Sequence, residues 1–305
     1  MAEPTTRVGF IGTGIMGAPM ARNVLRAGFP VTIYARHPDH AQALVDAGAT
    51  LVDDPAAVAR ASDVVVTVLP DAPEVEEVVA GPRGVLEGAR DGMIIADMST
   101  IAPAVSRRLA EACAARGVAF LDAPVSGGSV GAERGTLTIM VGGEAEAFER
   151  CRPVFEVMGM PENLFHVGPS GTGEVVKLAN NVLCGAIAAA CAEALTMGVK
   201  SGVDAAILAK IIGVSSGASW QLSNVFPLRV WDGSFTPGFM TDLLLKDLRL
   251  ALELGAEGGV PLRVTEVTRA LYDQARADGH GRDDYSSVIL QLEDAAGVQV
   301  RAPKE

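Results

Sequence analysis

The sequence is poor in cysteine and in basic residues, and it has no long uninterrupted apolar run. Its four cysteines, Cys113, Cys151, Cys184 and Cys191, show neither CxxC spacing nor histidines at ligand spacing, which argues against a zinc site or a disulfide framework. No metal is expected, and a reduced, cytoplasmic setting fits. Lys and Arg number 25 against 37 Asp and Glu, a formal charge of −12. That charge repels polyphosphates over long range and no local basic patch overrides it, so no nucleic-acid partner is expected. The nearest approach to a membrane span, 182–192, is alanine-rich and holds Cys184 and Gly185 within an amphipathic pattern, so it reads as a buried helix and no membrane partner is expected. The opening Met-Ala-Glu-Pro-Thr-Thr-Arg lacks the basic region, apolar core and cleavage site of a secretion signal, so export is not expected.

What is present is enough apolar material, 49% of 305 residues, for more than one core. From Arg7 to about Leu121, short β-branched runs at 7–11, 31–34, 49–52, 63–68, 93–96 and 118–121 alternate with helical periodicity at 15–27, 38–46, 55–60, 72–80 and 102–115. Such alternation predicts a parallel sheet covered on both faces. A glycine-rich segment beginning at Asp122 reads as a loop, and two further strands, 136–141 and 164–167, flank a helix starting near Glu144. After Gly168 the strand signal fades. One helical pattern runs from Glu174 to Lys200, and others follow at 204–212, 217–230, 239–257 and 261–277. The expected fold is an α/β Rossmann-type N-terminal domain, 1–168, followed by an all-α C-terminal domain, 169–295, the two joined by a long helix. The last ten residues, 296–305, read as a frayed tail.

The strand Val8-Gly9-Phe10-Ile11 runs into Gly12-Thr13-Gly14-Ile15-Met16-Gly17 and then a helix. Glycine is wanted there three times: for a tight turn, for close approach of backbone N–H groups to a pyrophosphate, and for close packing of helix on strand. A dinucleotide site follows. At the end of the second strand, where an acidic residue would accept hydrogen bonds from the adenosine ribose, the sequence has Ala35 and then Arg36. A guanidinium can pair with a 2′-phosphate, so NADP is expected in preference to NAD, with Asp39 the residue that could serve an NAD ribose instead. Leu69-Pro70 and Thr100 close the fourth and fifth strands on the edge where open α/β sheets bind ligands, and they are candidate ribose and nicotinamide contacts. Thr100 could equally cap the helix that follows.

In Gly173-Glu-Val-Val-Lys177-Leu-Ala-Asn180-Asn181, an amine and two carboxamides share one face of an otherwise apolar helix, where burial alone would not place them. Ser126-Gly127-Gly128 supplies successive backbone N–H groups and a hydroxyl that suit a substrate carboxylate. Together they suggest a small carboxylate-bearing substrate whose alcohol or carbonyl oxygen exchanges a proton with Lys177 as hydride moves. Asp242, Lys246 and Arg249 have the spacing of a surface ion-pair ladder, unless Lys246 faces a ligand with Asp247 orienting it.

These stretches, with Asp122-Ala-Pro-Val-Ser126-Gly127-Gly128, Lys246-Asp247-Leu248 and Gly279-xxx-Asp283-Asp284-Tyr285-Ser286-Ser287, resemble the β-hydroxyacid dehydrogenase family over nearly the whole chain. That group includes 3-hydroxyisobutyrate dehydrogenase, tartronate semialdehyde reductase and the glyoxylate and succinic semialdehyde reductases. The resemblance implies Lys177 as catalytic acid/base, Ser126, Gly127 and Gly128 as carboxylate ligands, Asn181 as a substrate or lysine contact, beside which Asn180 is a substrate-binding candidate by its spacing, and Lys246 as a cofactor contact. It also brings Trp220 toward the substrate and implies a homodimer or homotetramer. The function expected is NADP-dependent interconversion of a short 3-hydroxy acid and its semialdehyde or keto form. Alternatives are an NAD-dependent 3-hydroxyisobutyrate dehydrogenase, an imine reductase, which the presence of Lys177 argues against, and a non-catalytic nucleotide-sensing module.

Overall fold

The computed structural model describes residues 6–302. In chain order the first part runs β1 (Val8–Ile11), α1 (Gly17–Arg26), β2 (Val31–Tyr34), a 3-10 turn (Pro38–Ala41) into α2 (Gln42–Val45), β3 (Thr50–Leu51), α3 (Pro55–Ala61), β4 (Val64–Thr67), α4 (Ala72–Ala80), α5 (Val85–Gly88), β5 (Ile94–Asp97), α6 (Pro103–Ala114), β6 (Ala119–Asp122), β7 (Val125–Ser126), α7 (Gly128–Arg134), β8 (Leu137–Gly142), α8 (Ala145–Phe155) and β9 (Gly159–Gly168). The sheet order is β3-β2-β1-β4-β5-β6-β8-β7, with β9 also paired to β8. Strands β1 to β6 are parallel, β8 runs antiparallel to β6 and β7, and β9 is parallel to β8. This is a Rossmann-type domain.

Side chains alternate between the faces of a strand, and here each face finds a core. Val64, Val66, Ile94 and Ala96 join one buried cluster with Met20 and Val24 of α1. Val65 and Ile95 join another with Val58 of α3, Val75 of α4 and Val105 of α6. Burial on both faces explains why the strands read as continuous apolar runs. Aspartates fix helix starts: Asp54 accepts from the Ala57 N–H at 2.7 Å and Asp71 from the Ala72 N–H at 2.8 Å.

Helix α9 (Thr172–Lys200) is continuous over 29 residues, about 43 Å. The chain divides into one compact unit up to Lys177 and a second from Leu178, so the boundary falls inside this helix. Although no uninterrupted apolar run was expected to span a membrane, α9 is long and apolar enough to do so, with an 18-residue window of mean hydropathy 1.8. Its Ala188, Ala192 and Leu195 lie in the buried core of the second unit, whereas its Leu183 and Met197 are exposed.

The second unit continues with α10 (Ala205–Gly213), a π-helical turn (Gln221–Val225), α11 (Phe226–Arg229), α12 (Thr241–Glu257), α13 (Arg263–Ala275), a second π-helical turn (Arg276–His280), a 3-10 turn (Tyr285–Val288) and α14 (Ile289–Ala296). The single helix expected over 217–230 is instead a π-helical turn followed by the four residues of α11, in whose first turn Pro227 stands. Proline has no N–H to donate and crowds the preceding turn. The segment expected to fray does not: Val300 is fully buried and its N–H donates to Glu293, while Arg301 pairs with the same carboxylate at 2.6 Å. Residues 303–305 of that segment lie outside the described residues. Both tryptophans belong to the second unit, Trp231 buried and Trp220 72% exposed.

Candidate active site

The β1–α1 turn has a different reason for each glycine. Gly12 has φ +98°, and a Cβ on it would stand 2.1 Å from the Val68 carbonyl oxygen at the end of β4. A Cβ on Gly17 would stand 1.9 Å from the Gly12 carbonyl oxygen, so the helix could not close on the turn. Gly14 differs, since a Cβ there would meet nothing within 4 Å. The protein does not need that position bare. A phosphate drawn to the start of a helix does, because its oxygens must reach backbone N–H groups. Helix α1 has Met16 at its N-cap and no acidic residue in its first turn, so nothing there repels an anion. The turn therefore fits a dinucleotide pyrophosphate. Thr13 is buried in it and Ile15 is exposed.

At the end of β2, Ala35 is buried and Arg36 is exposed, and Asp39 stands in the first turn of the 3-10 segment beyond. The ends of β4 and β5 are braced by a buried acid that sequence reasoning missed. Asp97 Oδ1 accepts from Thr67 Oγ1 at 2.7 Å and from Ser99 Oγ at 2.6 Å, and Ser99 Oγ in turn accepts the Leu69 N–H at 2.9 Å. This network sets the path of Leu69-Pro70 and of Thr100. The N-cap of α6 is Ala102, so Thr100 is not the cap it could have been.

The segment after β6 is more ordered than the loop expected there. Val125 and Ser126 pair with Ile139 and Thr138, and α7 begins at Gly128. Between them Gly127 and Gly128 have φ +130° and +61°, conformations open to glycine and costly for other residues. The backbone thus turns sharply beside the Ser126 hydroxyl, where successive N–H groups can converge on an anion.

Asp122, the last residue of β6, is fully buried. Its carboxylate accepts the N–H groups of Gly171 at 2.7 Å and Glu174 at 3.2 Å, and so caps α9. Burial pushes its pKa up to about 6, against the opposing pull of those N–H groups. It stands in register with Asp97 on the neighbouring strand, so two buried acids close adjacent strands. The signal for both was present: each ends an apolar strand at a position where the pattern predicts burial.

Lys177 is 9% exposed, and Asn181, one turn further along α9, is buried. Asn180 is not on that buried face; it is exposed and donates to Asn181 Oδ1 at 3.0 Å. Asn181 donates to Asp247 Oδ2 at 2.5 Å, and Asp247, itself buried, lies 3.3 Å from the Lys246 amine. Along α12, Asp242 pairs with Arg276 of the second π-helical turn and Arg249 with Glu253. The first unit thus gathers the glycine turn, Leu69-Pro70, Thr100, Ser126–Gly128 and the capped start of α9 at the carboxyl ends of its parallel strands, where open α/β sheets bind ligands. In the second unit Asn181 and Lys246 share Asp247. Trp220 is exposed.

A Rossmann domain with this turn, continued by a helical domain through one long helix, defines the class: a nicotinamide-dependent oxidoreductase. Residues 7–168 match the model of the NAD binding domain of 6-phosphogluconate dehydrogenase, and residues 171–292 match that of the NAD-binding region of NADP-dependent 3-hydroxyisobutyrate dehydrogenase. The chain is 43% identical over 298 residues to 2-(hydroxymethyl)glutarate dehydrogenase of Eubacterium barkeri, covering 98% of each. It is 39% identical over 291 residues to an NAD-dependent L-serine dehydrogenase of Pseudomonas aeruginosa, covering 92% of this chain and 96% of that one. Among solved structures, 3-hydroxyisobutyrate dehydrogenase of Mycobacterium tuberculosis with L-serine superposes with a TM-score of 0.87 at 32% identity, covering 95% of this chain and 99% of that one. The chain belongs to the 3-hydroxyisobutyrate dehydrogenase-like family of β-hydroxyacid dehydrogenases. It is a hydride-transfer oxidoreductase of small hydroxy acids or their semialdehydes, and the family uses NAD or NADP.

Proposed function

We propose that this enzyme is an NAD-dependent dehydrogenase of 2-substituted 3-hydroxypropanoates, of which 3-hydroxyisobutyrate is the simplest branched member. One observation carries the reading: 2-(hydroxymethyl)glutarate, L-serine and 3-hydroxyisobutyrate, which name the relatives, share a carboxylate, a primary alcohol on C3 and a variable group on C2. The turn at Ser126–Gly128 is suited to the carboxylate and Lys177 to the alcohol. The nicotinamide, when bound, supplies the hydride acceptor. Lys177, as a neutral amine, takes the hydroxyl proton as the alcohol becomes an aldehyde, and as an ammonium returns it in reduction. Asn181, held by Asp247, steadies the substrate or the amine without adding charge. Lys246 contributes a cofactor contact. Leu183, Met197, Val264 and Val267, all exposed, support self-association as a dimer or tetramer.

NAD is favoured by the L-serine dehydrogenase relative, named as NAD-dependent, and by Asp39 just beyond β2. A second reading, NADP, rests on Arg36, which is exposed beyond a strand that ends without a carboxylate. The test is nicotinamide reduction with 3-hydroxyisobutyrate, L-serine and 2-(hydroxymethyl)glutarate, each with NAD and NADP, in wild type and Lys177→Ala. Turnover of at least one acid with NAD is expected, and loss of Lys177 should slow hydride transfer roughly 10²-fold to 10⁴-fold. Failure with all three acids overturns the substrate class. A preference for NADP that Arg36→Ala abolishes establishes the second reading.

A further inference from the structure

The Asp122 carboxylate is fully buried, and the fold is arranged around it. Its two oxygens are occupied by the backbone that enters α9, through Gly171 and Glu174. The space it fills exists because side chains are missing. A Cβ on Gly142 would stand 2.7 Å from both carboxylate oxygens. A Cβ on Gly173 would stand 2.4 Å from the Met140 carbonyl oxygen, 2.6 Å from that of Asp122 and 2.9 Å from Asp122 Oδ2. Asp122 faces Gly142 across the β6–β8 pair, so the carboxylate is anchored in the sheet, not in a loop.

Residues four apart lie on one face of a helix. Gly173, laid against Asp122 and Met140, therefore shares its face with Lys177. Strand β8, which carries Met140 and Gly142, also pairs with Val125 and Ser126. The start of the lysine helix and the turn beside Ser126 are thus both referred to strand β8. We propose that Asp122, with Gly173 as its contact, is a positioning residue for Lys177: it sets the height of the amine over the alcohol oxygen of a substrate held at Ser126–Gly128. This rests on Lys177 being the acid/base.

The experiment is single-turnover hydride transfer in wild type, Asp122→Asn, Lys177→Ala and the double variant, with KM and direct NAD titration in each. In Asp122→Asn an amide N–H would meet a backbone N–H of the helix start, so the first turn should shift. A displacement near 1 Å costs about 10²-fold, and a loss of roughly 10-fold to 10²-fold in hydride transfer is expected, with KM and NAD affinity little changed. In the Lys177→Ala background the same substitution should be silent to within about twofold, because there is no amine left to misplace. Gly173→Ala keeps the carboxylate and pushes the helix off it; it should reproduce this pattern, and it decides the matter if Asp122→Asn does not fold. Hydride transfer at the wild-type rate in the folded variants overturns the proposal, and so does an equal loss with and without Lys177, which is what a merely structural role would give. Wild-type hydride transfer in Lys177→Ala would sink the acid/base reading itself, and the positioning role with it.

Discussion

Gly12, Gly14 and Gly17 fail differently when given a side chain, and the difference separates folding from binding. A methyl group on Gly17 collides with the Gly12 carbonyl oxygen, whereas one on Gly14 meets open space. Gly17→Ala is expected to lower stability by about 1–3 kcal/mol, the usual cost of forcing atoms into a packed site, and to weaken NAD as well. Gly14→Ala should melt like wild type and still bind NAD at least tenfold more weakly, about 1.4 kcal/mol, because the methyl occupies the approach of the pyrophosphate. Thermal unfolding with and without cofactor distinguishes the two; a Gly14→Ala variant that binds NAD normally would remove the pyrophosphate from this turn. The fingerprint could be read because its glycines sit between a clear strand and a clear helix. Asp97 and Asp122 could not be given their roles from sequence. Aspartate is common wherever a strand gives way to a turn, and although the strand pattern predicts burial for both, only the fold shows the donors that converge on them.

Among the elements, the strands of the parallel sheet were legible because burial on both faces gives them apolar runs, as in 64–66 and 94–96 ahead of the polar Thr67 and Asp97. Where a segment's conformation depends on contacts distant in sequence, legibility stops. Helix α7 begins at two glycines with positive φ and so resembles a loop, although Gly131 and Ala132 are buried against the Rossmann domain and Gly135 ends the helix in a left-handed cap. Helix α14 and the chain after it were missed because their order comes from Val300 and Arg301 meeting Glu293. Close helix contact in the second unit was hinted at by the alanines of α9, and Gly185 shows its form. The Tyr272 hydroxyl of α13 donates to the Gly185 carbonyl oxygen at 3.2 Å, and a Cβ on Gly185 would touch Leu244, Thr268 and Tyr272 at 3.4–3.5 Å. One methyl fits at ordinary contact distance, but a branched side chain does not. Gly185→Ala should therefore be nearly neutral and Gly185→Val should cost about 1–3 kcal/mol through overpacking, which chemical denaturation of the two variants can measure.

For the molecule as a whole, the position of the boundary between the two compact units matters most, because it falls inside α9. A helix is a cooperative element, and unfolding on one side of the boundary frays the residues on the other. The two units are therefore expected to unfold together. The placement of Trp220 and Trp231 offers a way to observe this. With both indoles in the second unit and none in the first, emission excited selectively at tryptophan is blind to the Rossmann domain, whose Tyr34 it does not excite, while circular dichroism registers the whole chain. NAD at a hundred times its dissociation constant stabilises the form that binds it by about 2.7 kcal/mol. If unfolding is shared, the emission transition of the second unit rises with NAD even though the fingerprint lies in the first; an emission midpoint that stays fixed while the dichroism midpoint moves would show two independent transitions. The chain thus carries its own optical gauge of communication between its halves, with no label needed.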